Sequence, residues 1–210
     1  MSIERLTLHQ IFSPAFPTGG FAYSHGLETL VATGRVTSAG DAQDWLSTWL
    51  AHGAGWTDAV IFAHAARGDA PAPLDELAIA LAGSAERRRE TALQGAAFAA
   101  TMRHVWGLDL PDLAYPVAAG RAVHLLGLDP GQALEAALLS ACSNFTGAAI
   151  RLVPLGQAQG QGILAALTPL CADRAAAALC ATLDDLGGFA PAIDIASARH
   201  ETLPVRLFRS

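Results

Sequence analysis

The chain has 210 residues, 52% of them apolar and only 15% charged, which is enough to bury a sizeable core and too apolar for a disordered segment. All 13 basic residues are arginine, so a phosphate loop built on lysine and a lysine Schiff base are both excluded. The formal charge of −6 argues against nucleic acid as a partner, because phosphate binding needs a basic footprint.

About a fifth of the residues are alanine and no long alternating apolar/polar run occurs, which favours helix throughout. The first residues, MSIERLTLHQIF, carry an early acid and no long apolar run, unlike a secretory signal. Ser13 to Glu28 reads SPAFPTGGFAYSHGLE: a shaped turn that packs Phe16, Phe21 and Tyr23 on the core and opens a helix at Ser24 or His25. Ser38 caps a helix whose Ala42, Trp45, Leu46, Trp49 and Leu50 form one apolar stripe, ended by Gly53 and Gly55. Further helices are predicted over Thr57–Arg67, Asp75–Ala82, from Ser84 to about Val105, and over Tyr115–Leu126. Asp129 at N-cap, Pro130 at N1 and Gln132 at N3 open a long helix that Pro154 ends. Gln157–Leu167 follows, and Thr168-Pro169 is predicted to start one more helix running to Leu186 and stopping at Gly187-Gly188.

The last segment, residues 189–210, contains Pro191 and Pro204 and is expected to form at most one turn of helix. The architecture expected is therefore all-α, one helical bundle of seven to nine helices over residues 1–188, followed by a C-terminal tail over 189–210. The longest uncharged stretch, Leu152 to Ala172, is interrupted by Pro154, three glutamines, glycines and Pro169, a poor membrane span. Cys142, Cys171 and Cys180 form no C-x-x-C pair, which fits a reducing, cytoplasmic setting.

Catalytic chemistry finds little support. Glu86 to Glu90, ERRRE, reads as a solvated face with local ion pairs, or as an arginine presented to a partner. Gly156, Gly160 and Gly162 follow no strand and precede no lysine, so a nucleotide loop fails. The uncharged amides Gln157, Gln159 and Gln161 face solvent or another protein, since a buried amide must be hydrogen-bonded. His200-Glu201 begins like a zinc-hydrolase motif, but position 204 is proline where the second histidine would stand. The other histidines lie apart from one another, so no metal site, cofactor or catalytic set is predicted. A tail carrying Leu203, Leu207 and Phe208 must dock on its own domain or order on a partner. On the residues alone, a helical protein or enzyme with a small-molecule pocket between helices stays open as the alternative.

Four segments go further. SPAFPTGGFAYSHGLE, YPVAAGRAVHLLGL (Tyr115–Leu128), SNFTGAAIRLVPLGQAQGQGIL (Ser143–Leu164) and the closing HETLPVRLFRS together resemble the urease accessory protein UreF family, in order and spacing over nearly the whole chain. The resemblance implies an all-α, dimeric chaperone and not an enzyme. It implies binding to UreD (also called UreH), recruitment and regulation of the GTPase UreG, and nickel delivery to the urease apoprotein. It places Phe21, Tyr23, Glu28 and Arg151 at the UreG-receiving face, with Gln157 and Gln161 there or at the dimer contact. It assigns His200, Glu201, Arg206, Leu207 and Phe208 to UreD binding. Leu139 stands where some relatives carry tyrosine, and Pro204-Val205 where many carry polar or aromatic residues.

Overall fold

The helix starts follow from local capping. Ser38 Oγ accepts from the Asp41 amide while the Asp41 carboxylate accepts from the Ser38 amide, closing a capping box at the head of a helix over Ala39–His52. Asp129 does the same with one bond, from the Gln132 amide, at the head of Pro130–Leu152. The computed structural model describes residues 3–210 and forms ten α-helices and two 3-10 turns, with no strand among the described residues. In chain order these are α1 (Ile3–Ile11), a 3-10 turn (Gly20–Ala22), α2 (Leu27–Ala32), α3 (Ala39–His52), α4 (Ala54–Arg67), α5 (Pro71–Ala80) and α6 (Ala85–Trp106). Then come α7 (Tyr115–Leu126), α8 (Pro130–Leu152), α9 (Gln157–Cys180), a second 3-10 turn (Leu183–Asp185) and α10 (Pro191–His200).

The architecture is all-α, as read from the sequence, with more helices than the seven to nine expected. Three elements differ. α1 had no capping or stripe signal, and it forms because Leu8 and Ile11 are buried beside α8. α9 runs unbroken through Pro169, where a new helix start was predicted. Pro169 and Ala165 both lie on the exposed side, so the carbonyl that loses its N–H partner faces water. The helix then ends at Cys180 instead of Leu186, because the Asp185 carboxylate accepts from both the amide and the hydroxyl of Thr182 and tightens the chain into a 3-10 turn. α10 replaces the single turn expected after Pro191. Ile193, Ala196, Ser197 and His200 fall on one face, and that face is buried against α2 and α6.

Small residues set the spacing. α4 is the central helix, buried through Ala59, Val60, Ile61, Phe62, Ala63, Ala65 and Ala66, and packed on α3, α5, α7, α8 and α9. Its contact with α7 is close enough that a Cβ at Gly120 would sit 2.4 Å from the Phe62 carbonyl oxygen. Gly26, at φ 81, lets α10 approach in the same way, since a Cβ there would lie 2.5 Å from the Ser197 nitrogen. α8 and α9 are long and apolar enough to span a bilayer by length and composition, with mean hydropathies of 1.2 and 1.5. Here they pack on each other, and their inner faces, with Leu134, Leu138, Phe145, Ile163 and Leu167, belong to the main core.

Candidate functional site: a docked tail on buried carboxylates

The tail closes over one end of the bundle, held by carboxylates that the body supplies. Glu28 on α2 accepts from the Leu207 amide at 2.7 Å, the Phe208 amide at 3.1 Å and His200 Nε2 at 2.9 Å. His200 Nδ1 lies 2.7 Å from Glu86 on α6, so both ring nitrogens face carboxylate oxygens. The other oxygen of Glu86 accepts from Arg206 at 2.8 Å. Further along, the Arg209 amide donates to the Ala22 carbonyl, and the Ser24 amide and hydroxyl donate to the Ser210 carbonyl. Phe208 is buried, with the Arg151 guanidinium 4.5 Å above its ring. Arg151 also donates to the Phe21 carbonyl at 2.8 Å, which ties the tail to the opening turn.

Beneath the tail lies a second ionic layer. Glu90 on α6 accepts from Ser210 Oγ at 2.8 Å, Gln94 at 2.8 Å and His25 Nε2 at 2.7 Å, and pairs with Arg87 at 3.0 Å. Trp49 Nε1 donates to His25 Nδ1 at 3.0 Å. Because the indole is only a donor, it fixes the ring proton on Nε2, where it points at Glu90. Arg87 therefore bonds Glu90 and Asp58 rather than the histidine nitrogen beside it. His25 itself sits at φ 50, in the left-handed region that favours glycine, held there by both ring bonds.

Electrostatics follow from this packing. Burial lowers His25, and the nearby Arg87 charge lowers it further, so the ring is neutral. Burial alone would raise Glu90, but Arg87 and His25 outweigh it and hold the carboxyl at about 2. Burial also opposes the charge on Arg87, yet Glu90 and Asp58 raise it overall. Asp58 goes the other way: burial lifts it from 3.8 to about 6 against the pull of Arg87. A folded carboxyl above its unfolded value binds the extra proton in the native state. Its contribution is thus lost as pH rises from 3.8 through about 6. Asp58→Asn is expected to raise stability near neutral pH, with the gain vanishing below about pH 4, as urea titrations at the two pH values would show. The effect is damped by solvent, since the Asp58 side chain is 33% exposed.

The predicted site residues separate into an outer and an inner set. Phe21, expected on the core with Phe16 and Tyr23, is instead 64% exposed, and Arg151, Gln157, Gln161, Glu201, Arg206 and Leu207 are exposed with it. Tyr23, Glu28, His200 and Phe208 are buried, so in this conformation they can only shape the surface that a partner meets. Glu28 groups with the tail that it binds, while Arg151 links Phe21 to Phe208, so the two predicted faces meet at one rim. Gln157 and Gln161 stand apart from this network, one turn from each other at the head of α9.

Glu86, Arg87 and Glu90 correct the reading of ERRRE as a solvated face: Arg88 and Arg89 are exposed, but Arg87 and Glu90 are buried. A signal was present. Arg87, Glu90, Thr91, Gly95, Phe98 and Met102 continue one helical face, so the apolar stripe of α6 runs directly into the charges. His25, Asp58, Arg87 and Glu90 are among the polar residues that line a cavity of about 90 Å³, which neither Gln157 nor Gln161 borders.

Fold and site together define an all-α protein that folds its own terminal segment onto a buried ionic cluster. The UreF family profile matches residues 36–168. A protein of Cereibacter sphaeroides named urease accessory protein UreF is 51% identical over the whole of both chains. Proteins of the same name from Ruegeria pomeroyi and Paracoccus denitrificans are 48% and 45% identical, each over 98% of this chain and 96% of their own. The chain belongs to the UreF family of urease accessory proteins, a family of accessory factors and not of catalysts.

Proposed function

We propose that the protein is a non-catalytic factor of urease maturation: a cytoplasmic homodimer that binds UreD (UreH), recruits and regulates the GTPase UreG, and supports nickel insertion into the urease apoprotein. The observation that carries this reading is identity near 50% along the entire chain to proteins named for that accessory role. Two physical features support it. A chain without lysine cannot supply the phosphate-loop lysine of a GTPase, so hydrolysis belongs to another protein. The docked tail keeps its backbone engaged while turning Val205 and Leu207 outward at 78% and 73% exposure, as an apolar anchor for a second chain.

In this reading the UreD-binding surface is the outer side of the tail, with Glu201, Arg206 and Leu207. The UreG-binding surface is the rim of Phe21 and Arg151, with Gln157 and Gln161 as additional contacts. Tyr23, Glu28, His200 and Phe208 are positioning residues beneath both. Paired pull-downs test the division. Leu207→Asp is expected to keep the melting temperature and weaken UreD capture at least about tenfold, a loss of roughly 1.4 kcal/mol. Phe21→Asp is expected to leave UreD capture intact and to weaken UreG recruitment to the preformed complex. Unchanged capture by both variants would remove the assignment.

A further inference from the structure

We propose that Cys142 and Cys171 are a redox modification site, closing into a reversible intramolecular disulfide that staples α8 to α9 when the protein meets a hydroperoxide. The two thiols come from facing helices, are 0% and 2% exposed, and hold their sulfurs 3.8 Å apart. Neither is disulfide-bonded. Their neighbours on the same helix faces, Leu138, Phe145, Leu167 and Ala175, are buried apolar groups that offer the sulfurs no competing partner. Forming an S–S bond of about 2.05 Å requires the sulfurs to close by roughly 1.7 Å.

The pair is asymmetric. A hydrogen bond between the two sulfurs holds the Cys171 thiol below the ordinary range and the Cys142 thiol above it, and burial adds to the rise at Cys142. Cys171 also borders a surface groove of about 340 Å³, lined in addition by Arg5, His9, Glu135, Leu139 and Thr168. A small oxidant reaches Cys171 from there, whereas Cys142 lies behind it.

Chemistry at the pair balances as follows. The Cys171 thiolate attacks one peroxide oxygen, the O–O bond breaks, and the departing oxygen takes the thiol proton and leaves as water, giving a sulfenic acid. Cys142 then attacks that sulfur: the S–S bond forms, the S–O bond breaks, and hydroxide leaves with the Cys142 proton as a second water. Two thiols are oxidised and one hydrogen peroxide is reduced. Thiol exchange reverses the step, so the bond is transient in a reducing compartment. The staple joins the middle of α8 to the second half of α9, roughly 13 Å along α8 from Arg151 and about 21 Å along α9 from Gln157. It does not depend on the maturation role.

The test uses the full chain with the exposed third thiol removed, Cys180→Ser. The reduced protein is treated with hydrogen peroxide, denatured in an alkylating agent and mapped by peptide mass. The expected product is a peptide pair joined through Cys142 and Cys171, with no thiol left to alkylate, a raised melting temperature and full reversal by dithiothreitol. In a Cys142→Ala background, Cys171 is expected to be trapped by dimedone as its sulfenic acid. Two alkylatable thiols after treatment, conversion of Cys171 to sulfinic acid with Cys142 present, or cross-links only between chains would each overturn the proposal.

Discussion

Glu28→Ala is expected to free residues 201–210 from the body while α3 to α9 stay folded. Glu28 is the one side chain that holds the tail at three points, the amides of Leu207 and Phe208 and the His200 ring. Removing it leaves two backbone donors without an acceptor and leaves His200 with Glu86 as its sole carboxylate. Each buried donor left without an acceptor costs about 1–3 kcal/mol. A ten-residue segment anchored mainly by Phe208 and by polar bonds has little apolar burial to set against that loss. Hydrogen exchange is the direct measurement: the Leu207 and Phe208 amides should lose protection, while amides in the middle of α4 keep theirs. Glu28→Gln retains one acceptor oxygen and should fall between the two. Protection at Leu207 and Phe208 unchanged from the parent would mean that the tail is held by something other than this carboxylate.

Gly95→Ala should be the most damaging single-methyl change in the molecule. Gly95 is buried in α6 in an ordinary helical conformation, so the requirement is for space and not for backbone freedom. A Cβ there would stand 1.8 Å from the Leu113 carbonyl oxygen and 2.8 Å from the Tyr115 nitrogen, both backbone atoms that cannot rotate away. α6 would have to withdraw from the strap over residues 113–115. That movement breaks the bond from the Tyr115 amide to Thr91 Oγ1 and shifts Glu90 and Arg87 one turn away. Overpacking costs about 1–3 kcal/mol in typical cores and more where backbone blocks relief, so a loss of about 3 kcal/mol or above is expected. For a chain of this size that corresponds to a melting temperature lower by roughly 6–12 °C. A scanning calorimetry trace within a degree or two of the parent would show that the α6–α7 approach is looser than described.

Much of the fold was legible because helix boundaries are local. Ser38, Ser84 and Asp129 each act as an N-cap, and Gly68, Gly107 and Gly127 each end a helix in the left-handed conformation. The misses arise where tertiary packing decides. Pro169 looks like a helix start, yet it is carried inside α9 because its ring falls on the outer face. The tail looks unstructured in isolation, yet α10 forms because α2 and α6 offer a surface with Gly26 at the crossing. The site was legible in part. The opening turn and the tail were singled out as unusual, but nothing in their spacing says that Glu28 reaches across 179 positions to the Leu207 amide. The ionic layer of His25, Arg87 and Glu90 was hidden for a related reason. Charged residues read as solvated unless the apolar stripe below them is followed into the next turn.

Taken together, the buried ionic layer, the docked tail and the exposed rim describe a protein whose polar residues are spent on holding a surface. Urease maturation tests that directly through the metal content of urease from a strain lacking this gene, grown with limiting nickel and complemented either by the parent chain or by Leu207→Asp. Urease nearly free of nickel is expected in the deletion strain, with full loading by the parent chain and poor loading with Leu207→Asp despite normal amounts of folded protein. Fully nickel-loaded urease in the deletion strain would contradict the maturation role.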